Sequence, residues 1–274
     1  MERRSSNSRP PSMVLLAREV LAVAELGVHY ATMPWWGIAP RGDGCPVLVL
    51  PGLVQSDIST RPLRRFLNNR GHIACAWGLG TNSGNTRLVD DHLLARLHAL
   101  CDEHGRKVSI IGWSMGGLFA RNLARIAPHA VRQVITLGSP FAGHPKASNA
   151  WRLYEAMSGQ RASDPRIAER FRGALPVPAT SIYSRSDGIV AWQCCLNEVG
   201  PLAENIEVIS SHCGMGHHPA VLYAVADRLA QPEGQWQPFE AAGMLRWMYP
   251  ARSADSSSRA VARGRARQLG GERT

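Results

Sequence analysis

A serine held between glycines, with an aspartate and a histidine downstream of it, is the set of residues in this chain most able to do chemistry together. Ser114 lies in Gly112-Trp113-Ser114-Met115-Gly116, with Gly117 behind it. A serine hydroxyl is a poor nucleophile at neutral pH until an imidazole takes its proton, and a carboxylate must in turn orient that imidazole. Both partners follow in the order Ser, Asp, His: Asp187 in SRSDGIV and His212 in IEVISSHCGMGHH. His217 and, less directly, His218 are alternative bases, because a glycine-containing loop could present either. Asp164 is an alternative acid, and Asp187 also has a plain reading as the cap of a turn before Gly188. Transfer of an acyl group further needs backbone N–H donors for the developing oxyanion, each worth roughly 3 kcal/mol. Met115, the residue after the serine, would supply one, and Leu53 in LPGLVQSD the other, with Val54 as its neighbouring alternative.

A serine in this motif is useful only on a sharp turn between a strand and a helix, and the flanking sequence provides both. KVSIIGWS at 107–114 reads as a central strand, and 115–126 as a helix ended by Pro128. Further apolar runs at 47–50, 72–77, 131–140, 179–184 and 205–210 alternate with helical segments at 60–69, 90–104 and 219–229. That alternation predicts an α/β domain over 13–250 built on a mostly parallel sheet. About 40 residues separate the strands ending near Ser139 and beginning near Ala179, too long for a bare loop. Residues 142–176 are therefore expected to form a helical cap or lid. Trp151, Leu153, Tyr154, Met157, Ile167 and Phe171 among its charges suit either a mobile lid or a fixed cap.

The order LPG, GWSMGG, LGSP, SDGIV and SSH, over roughly residues 46–230, resembles the α/β-hydrolase superfamily and within it the bacterial lipase and esterase-like branch. The resemblance implies a parallel sheet with helices on both faces, hydrolysis of esters or related acyl bonds by a Ser, Asp, His triad, and no metal or organic cofactor. Lipase relatives often carry His-Gly where this chain has Pro51-Gly52. Trp113 and Phe141 adjoin the expected site by motif position, which favours a small-molecule acyl ester or lipid over a sugar or a charged substrate. An acyltransferase would use the same triad. A binding module on a hydrolase scaffold is the non-catalytic alternative, and it has no need of all three residues in order.

Composition bounds the rest. The 274 residues carry a formal net charge of +10, but six arginines against Asp255 and Glu272 lie in 251–274, and three against Glu2 in 1–12. These two segments, rich in Ser, Arg, Gly and Ala, read as disordered tails, so the basic excess predicts no specific nucleic-acid partner. Six cysteines without repeated spacing suit a cytoplasmic protein with reduced thiols. Cys213, His217 and His218 are metal-ligand types without a second half-site, so no metal is expected. The apolar stretch Met13–Met33 is interrupted by Arg18, Glu19 and Glu25 and is too short for a membrane span. A helix docked on the domain is expected there, with a helix lying on a membrane surface, and hence peripheral membrane contact, as the alternative.

Overall fold

Each apolar run that the sequence marks as a strand pairs in parallel with its neighbours, giving a six-stranded sheet. The computed structural model of the chain describes residues 9–144, 146–241 and 243–250. The strands are β1 (Pro46–Leu50), β2 (Ile73–Ala76), β3 (Val108–Trp113), β4 (Val131–Leu137), β5 (Ala179–Ser184) and β6 (Ala203–Val208), in the order β2-β1-β3-β4-β5-β6. Parallel neighbours require crossovers, and helices supply them. They are α1 (Met13–Ala17), α2 (Leu21–Thr32), α3 (Asp57–Asn69), α4 (Thr86–His104), α5 (Met115–Ile126), α6 (Trp151–Ser158), α7 (Pro165–Phe171) and α8 (Pro219–Ala230).

Side chains alternate across the central strands and build one core on each face. Val47, Val49, Ile111 and Trp113 meet α3 and α8, with Trp36 packed beside them. Leu48, Leu50 and Ile110 meet α4 and α5 through Leu93, Leu97, Phe119 and Leu123. Burial on both faces is unbroken along β1, β3, β4 and β5, including polar Arg132, Gln133 and Thr136 of β4 and Thr180, Ser181 and Ser184 of β5, while in the edge strand β6 it alternates. The C-terminal ends of β1, β3, β4 and β5 gather where the central strands stop, the usual place for a ligand in an open parallel sheet.

Several boundaries differ from the sequence reading, with α4 starting at Thr86 rather than at 90, and those of α3 and β6 have a local reason. α3 starts at Asp57 rather than Thr60, because Ser56 caps it and Asp57 accepts the backbone N–H groups of Trp77 and Gly78 beyond β2. Pro62 therefore sits inside the helix and not in its first turn. β6 begins at Ala203 and ends at Val208, two residues earlier than expected. Glu204, polar in sequence, is buried there in an ion pair with Arg228 of α8 at 3.1 Å. Three residues, rather than one, then lead from the last strand to His212.

The N-terminal stretch is helical, broken by a 3₁₀ turn at Arg18–Val20 and followed by another at Met33–Ile38. Leu15, Glu19, Ala22, Glu25 and His29 face the domain. Its opposite face is apolar and open, with Met13, Val14, Val20 and Val23 each more than 70% exposed. Trp36 is buried in the core, whereas Trp35 is exposed. Among the described residues no helix is long and apolar enough to cross a membrane. Of the expected tails, 1–8 and 251–274 lie outside the described residues, and in 9–12 Ser12 caps α1.

The Arg228 and Glu204 side chains are both almost fully buried, and Glu204 also accepts from Thr180 Oγ1 and from the N–H of Phe239. Removing Glu204 leaves the buried Arg228 with only the more exposed Asp227 as counter-charge and takes the acceptor from Thr180 and Phe239. Glu204→Ala should lower unfolding free energy by about 3–5 kcal/mol in chemical denaturation, whereas a change under 1 kcal/mol would show that the pair is solvated.

Candidate active site

Ser114 occupies the turn between β3 and α5 with φ 52° and ψ −118°, a conformation that L-residues avoid. The turn is possible because backbone passes where side chains would otherwise stand. A Cβ on Gly116 would lie 2.4 Å from the carbonyl oxygen of Leu50, and one on Gly112 would lie 2.3 Å from the Cα of Gly117. The Ser114 N–H is donated to the carbonyl of Leu137 at the end of β4, fixing the turn to the neighbouring strand.

His212 lies on the loop between β6 and α8, and its Nε2 is 3.0 Å from Ser114 Oγ. Its Nδ1 is 2.6 Å from Asp187 Oδ2. Because the carboxylate can only accept, Nδ1 carries the proton in the neutral ring and Nε2 is free to accept from the serine hydroxyl. Asp187 follows β5, and its other oxygen accepts the N–H groups of Ile189 and Val190. It therefore caps its own turn and orients the imidazole at once. Gly138, with φ +56°, leaves room for the pair, since a Cβ there would lie 3.1 Å from His212 Nδ1 and 3.2 Å from Asp187 Oδ2.

The alternative residues are engaged elsewhere. His217 Nε2 donates to the carbonyl of Ala22 in α2, and the side chain of His218 caps α8 by accepting from the N–H of Ala220. Asp164 caps α7 by accepting from the N–H of Arg166. Cys213, His217 and His218 do not converge, and no group of three or more metal-ligand side chains clusters among the described residues.

The loop after β1 turns back beneath the serine. Leu53 and Met115 both line the cavity into which Ser114 opens, and Met115 is the first residue of α5, whose N–H no helical turn can pair. The N–H of Val54 is donated to the carbonyl of Asn82, whereas that of Leu53 has no backbone partner among the described residues. Val54 holds φ 60°, an outlier for a β-branched residue. Buried Asn82 secures this loop by donating to the carbonyl of Pro51, and Gln55 accepts the N–H of Gly52.

The cavity, about 100 Å³, is largely apolar, with Leu118, Phe141, Trp151, Tyr154, Phe171 and Val190 in its wall. Phe141 stands where the sequence suggested. Trp113 does not: its indole packs on the opposite face of the sheet and donates to the carbonyl of His212 at 3.1 Å. Strand alternation is the reason, since Trp113 and Ser114 point to opposite sides. From the 142–176 insertion, Trp151, Tyr154 and Phe171 line the cavity, Leu153 and Met157 are exposed, and the side chain of Ile167 lies outside the described residues. Arg121 of α5 donates to the carbonyls of Phe171 and Gly173, Gln160 bonds Thr86 and Tyr154, and Arg170 pairs with Asp90.

Sequence reasoning passed over Glu19, Glu25, Asn82 and Gln55. The only signal for the two glutamates was that they interrupt an apolar helix. Arg18, which interrupts the same stretch, is exposed.

Residues 47–198, more than half of the chain, match the sequence profile of the alpha/beta hydrolase fold. The match stops before His212. Among solved structures, Aspergillus fumigatus lipase B is similar at 18% identity with a TM-score of 0.59, over 71% of this chain and 55% of that one. The chain thus spans little more than half the length of that lipase. The mature Bacillus licheniformis lipase BlEst2 follows at 16% identity and a TM-score of 0.51, over 70% of this chain and 94% of that one. A Paleococcus ferrophilus monoacylglycerol lipase has 16% identity and a TM-score of 0.50, over 67% of this chain and 96% of that one. At such identities the likeness is one of fold. No curated protein is similar in sequence at a significant level.

Burial by itself would lower the pKa of His212, but the charge and hydrogen bond of Asp187, with the charge of Glu19 behind them, outweigh it and the net shift is upward. Burial lowers His217 and His218. A raised folded value means that His212 contributes stability that is fully present below its unfolded pKa and is lost as pH rises through the folded one. Imidazole NMR should find His212 titrating above ordinary histidine, with His217 and His218 below it, and Asp187→Asn should bring His212 down. An unmoved midpoint in that variant would dissociate the pair.

Proposed function

This chain belongs to the alpha/beta hydrolase family, and within that family we propose that it is a serine hydrolase cleaving carboxylic esters with apolar acyl groups. The observation that carries this reading is the relay Ser114, His212, Asp187 at 3.0 and 2.6 Å, opening into a cavity with an apolar wall. In the first half-reaction His212 Nε2 takes the hydroxyl proton as Ser114 Oγ bonds to the ester carbonyl carbon. The carbonyl oxygen becomes an oxyanion facing the N–H groups of Leu53 and Met115. Collapse breaks the bond to the alcohol, which leaves with the proton from His212, and the acyl group stays on Ser114. Water then repeats the sequence, with His212 as base, and releases the acid.

The positive φ of Ser114 supports this role, because it holds the hydroxyl up at the end of β3 rather than in a helical rotamer. Phe141 and Phe171 favour an acyl chain over a polar group. The bonds from Arg121, Gln160 and Arg170 favour a fixed cap over a lid that swings away.

Peripheral contact with an anionic lipid surface forms part of the same reading. Its support is the open apolar face of α1 and α2, the exposed Met244 and Trp247 near the other end, and the arginine-rich sequence that flanks both.

Ser114→Ala and His212→Ala should each leave a folded protein and lower turnover of a p-nitrophenyl acyl ester by about 10⁴-fold or more. A fluorophosphonate should label the parent on Ser114. Near-full activity in either folded variant, or labelling elsewhere, would overturn the triad. For the surface, the full chain should sediment with vesicles containing phosphatidylglycerol and less with pure phosphatidylcholine. Val20→Ser with Val23→Ser should weaken that binding while sparing the rate on a soluble ester, and equal binding by both proteins would remove the helix from the contact.

A further inference from the structure

The loops that carry Asp187 and His212 are irregular backbone at the end of the sheet, and a single side chain from outside the sheet holds both. Glu19 Oε1 accepts the N–H of Gly188 at 2.7 Å and the N–H of His212 at 2.9 Å, while Oε2 accepts the N–H of Cys213 at 2.9 Å. Glu25, further along the same helical segment, accepts the N–H of Ser211 at 2.8 Å and its hydroxyl at 2.5 Å. Ser211 Oγ in turn accepts the N–H of Gly214. The close approach is built into the backbone. A Cβ on Gly188 would lie 2.2 Å from the carbonyl oxygen of Leu15, and one on Gly214 would lie 1.4 Å from Glu25. The segment that brings these carboxylates, Met13–Thr32, lies outside the stretch 47–198 that matches the family profile.

We propose that Glu19 is a positioning residue for the Asp187 and His212 pair, bridging the two loops through their backbone N–H groups, with Glu25 fixing the turn that leads into His212. The inference rests on the triad reading above. Its physical basis is that proton transfer between Ser114 and His212 requires the imidazole within hydrogen-bond reach, and a misplacement of about 1 Å costs rate and not substrate binding. Glu19 touches neither substrate nor reacting atoms. It also places a negative charge beside the imidazole. The groups facing His212 are Ser114, Asp187 of the β5 loop, Glu19 of the N-terminal segment, and the neighbouring Cys213; Glu25 stands behind Ser211, and Cys195 lies near Asp187.

Three measurements on the full chain test this. Glu19→Ala should lower kcat on a short soluble ester by about 100-fold, with KM within twofold. Glu19→Gln keeps the volume and one acceptor oxygen for Gly188 and His212, but sets an amide N–H₂ against Cys213 and removes the charge. It should recover part of the lost kcat, and the rising limb of its kcat/KM against pH should move to lower pH than in the parent, since the charge that favours the imidazolium has gone. In a His212→Ala background, Glu19→Ala should add no further loss, because it acts only through the imidazole. A folded Glu19→Ala with unchanged kcat, or a Glu19→Gln pH profile superposing on the parent's, would overturn the proposal. Should Glu19→Ala fail to fold, the Glu19→Gln profile decides. If Ser114→Ala and His212→Ala abolish activity while the Glu19 variants behave as the parent, the positioning role alone fails. If Ser114→Ala stays active, the triad reading itself is lost.

Discussion

The crowding of backbone at the C-terminal end of β3 is the constraint on which the rest depends. There the carbonyl of Leu50, the glycines at 112, 116 and 117, and Ser139 approach within distances that no Cβ would allow. The contacts draw β1, β3 and β4 together at one point, so the turn cannot relax without separating strands. Ser114 keeps its unfavourable φ because the surrounding core over-determines it. Everything chemical then has a fixed origin, since His212, Asp187 and the Leu53 loop need only reach that point from neighbouring strands.

Around this origin the loops face the problem that irregular backbone has donors without a ladder to pair them. The chain solves it repeatedly with acidic and amide side chains as acceptors. Asp57 takes the N–H groups of Trp77 and Gly78, Asp187 those of Ile189 and Val190, Gln55 that of Gly52, and Glu19 and Glu25 those of the His212 loop. Where the acceptor is a carboxylate, the bond is charge-assisted and stronger than a neutral one. The result is a rigid rim around a cavity whose wall is apolar, so the polar chemistry is concentrated at Ser114 and its partners.

The N-terminal segment reverses the usual division of a surface helix. Its carboxylates face the protein, while Met13, Val14, Val20 and Val23 face outward. The inward arrangement is explained by the donors that it meets at Gly188, Ser211, His212 and Cys213. One segment therefore joins two surfaces of different character, the rear of the loops that carry Asp187 and His212 on one side and an open apolar face on the other.

What the sequence by itself determined is what depends on local periodicity and steric need. The strand and helix order, the parallel sheet, and the turn at Ser114 were legible because apolar runs of four to seven residues, helical repeats and the glycines around the serine are each imposed by neighbours in the chain. The order Ser114, Asp187, His212 was legible for the same reason, each lying just beyond a strand. Only the tertiary structure placed His212, and not His217 or His218, beside Ser114, because all three share one loop and their separation depends on which side meets α2. Tertiary packing likewise turned Trp113 away from the cavity, moved β6 by two residues to bury Glu204 against Arg228, and gave Glu19 its place 193 positions from the histidine whose N–H it accepts. Long-range pairing of a carboxylate with backbone leaves no periodic trace, so a glutamate that fixes a loop looks the same in sequence as one that only interrupts an apolar helix.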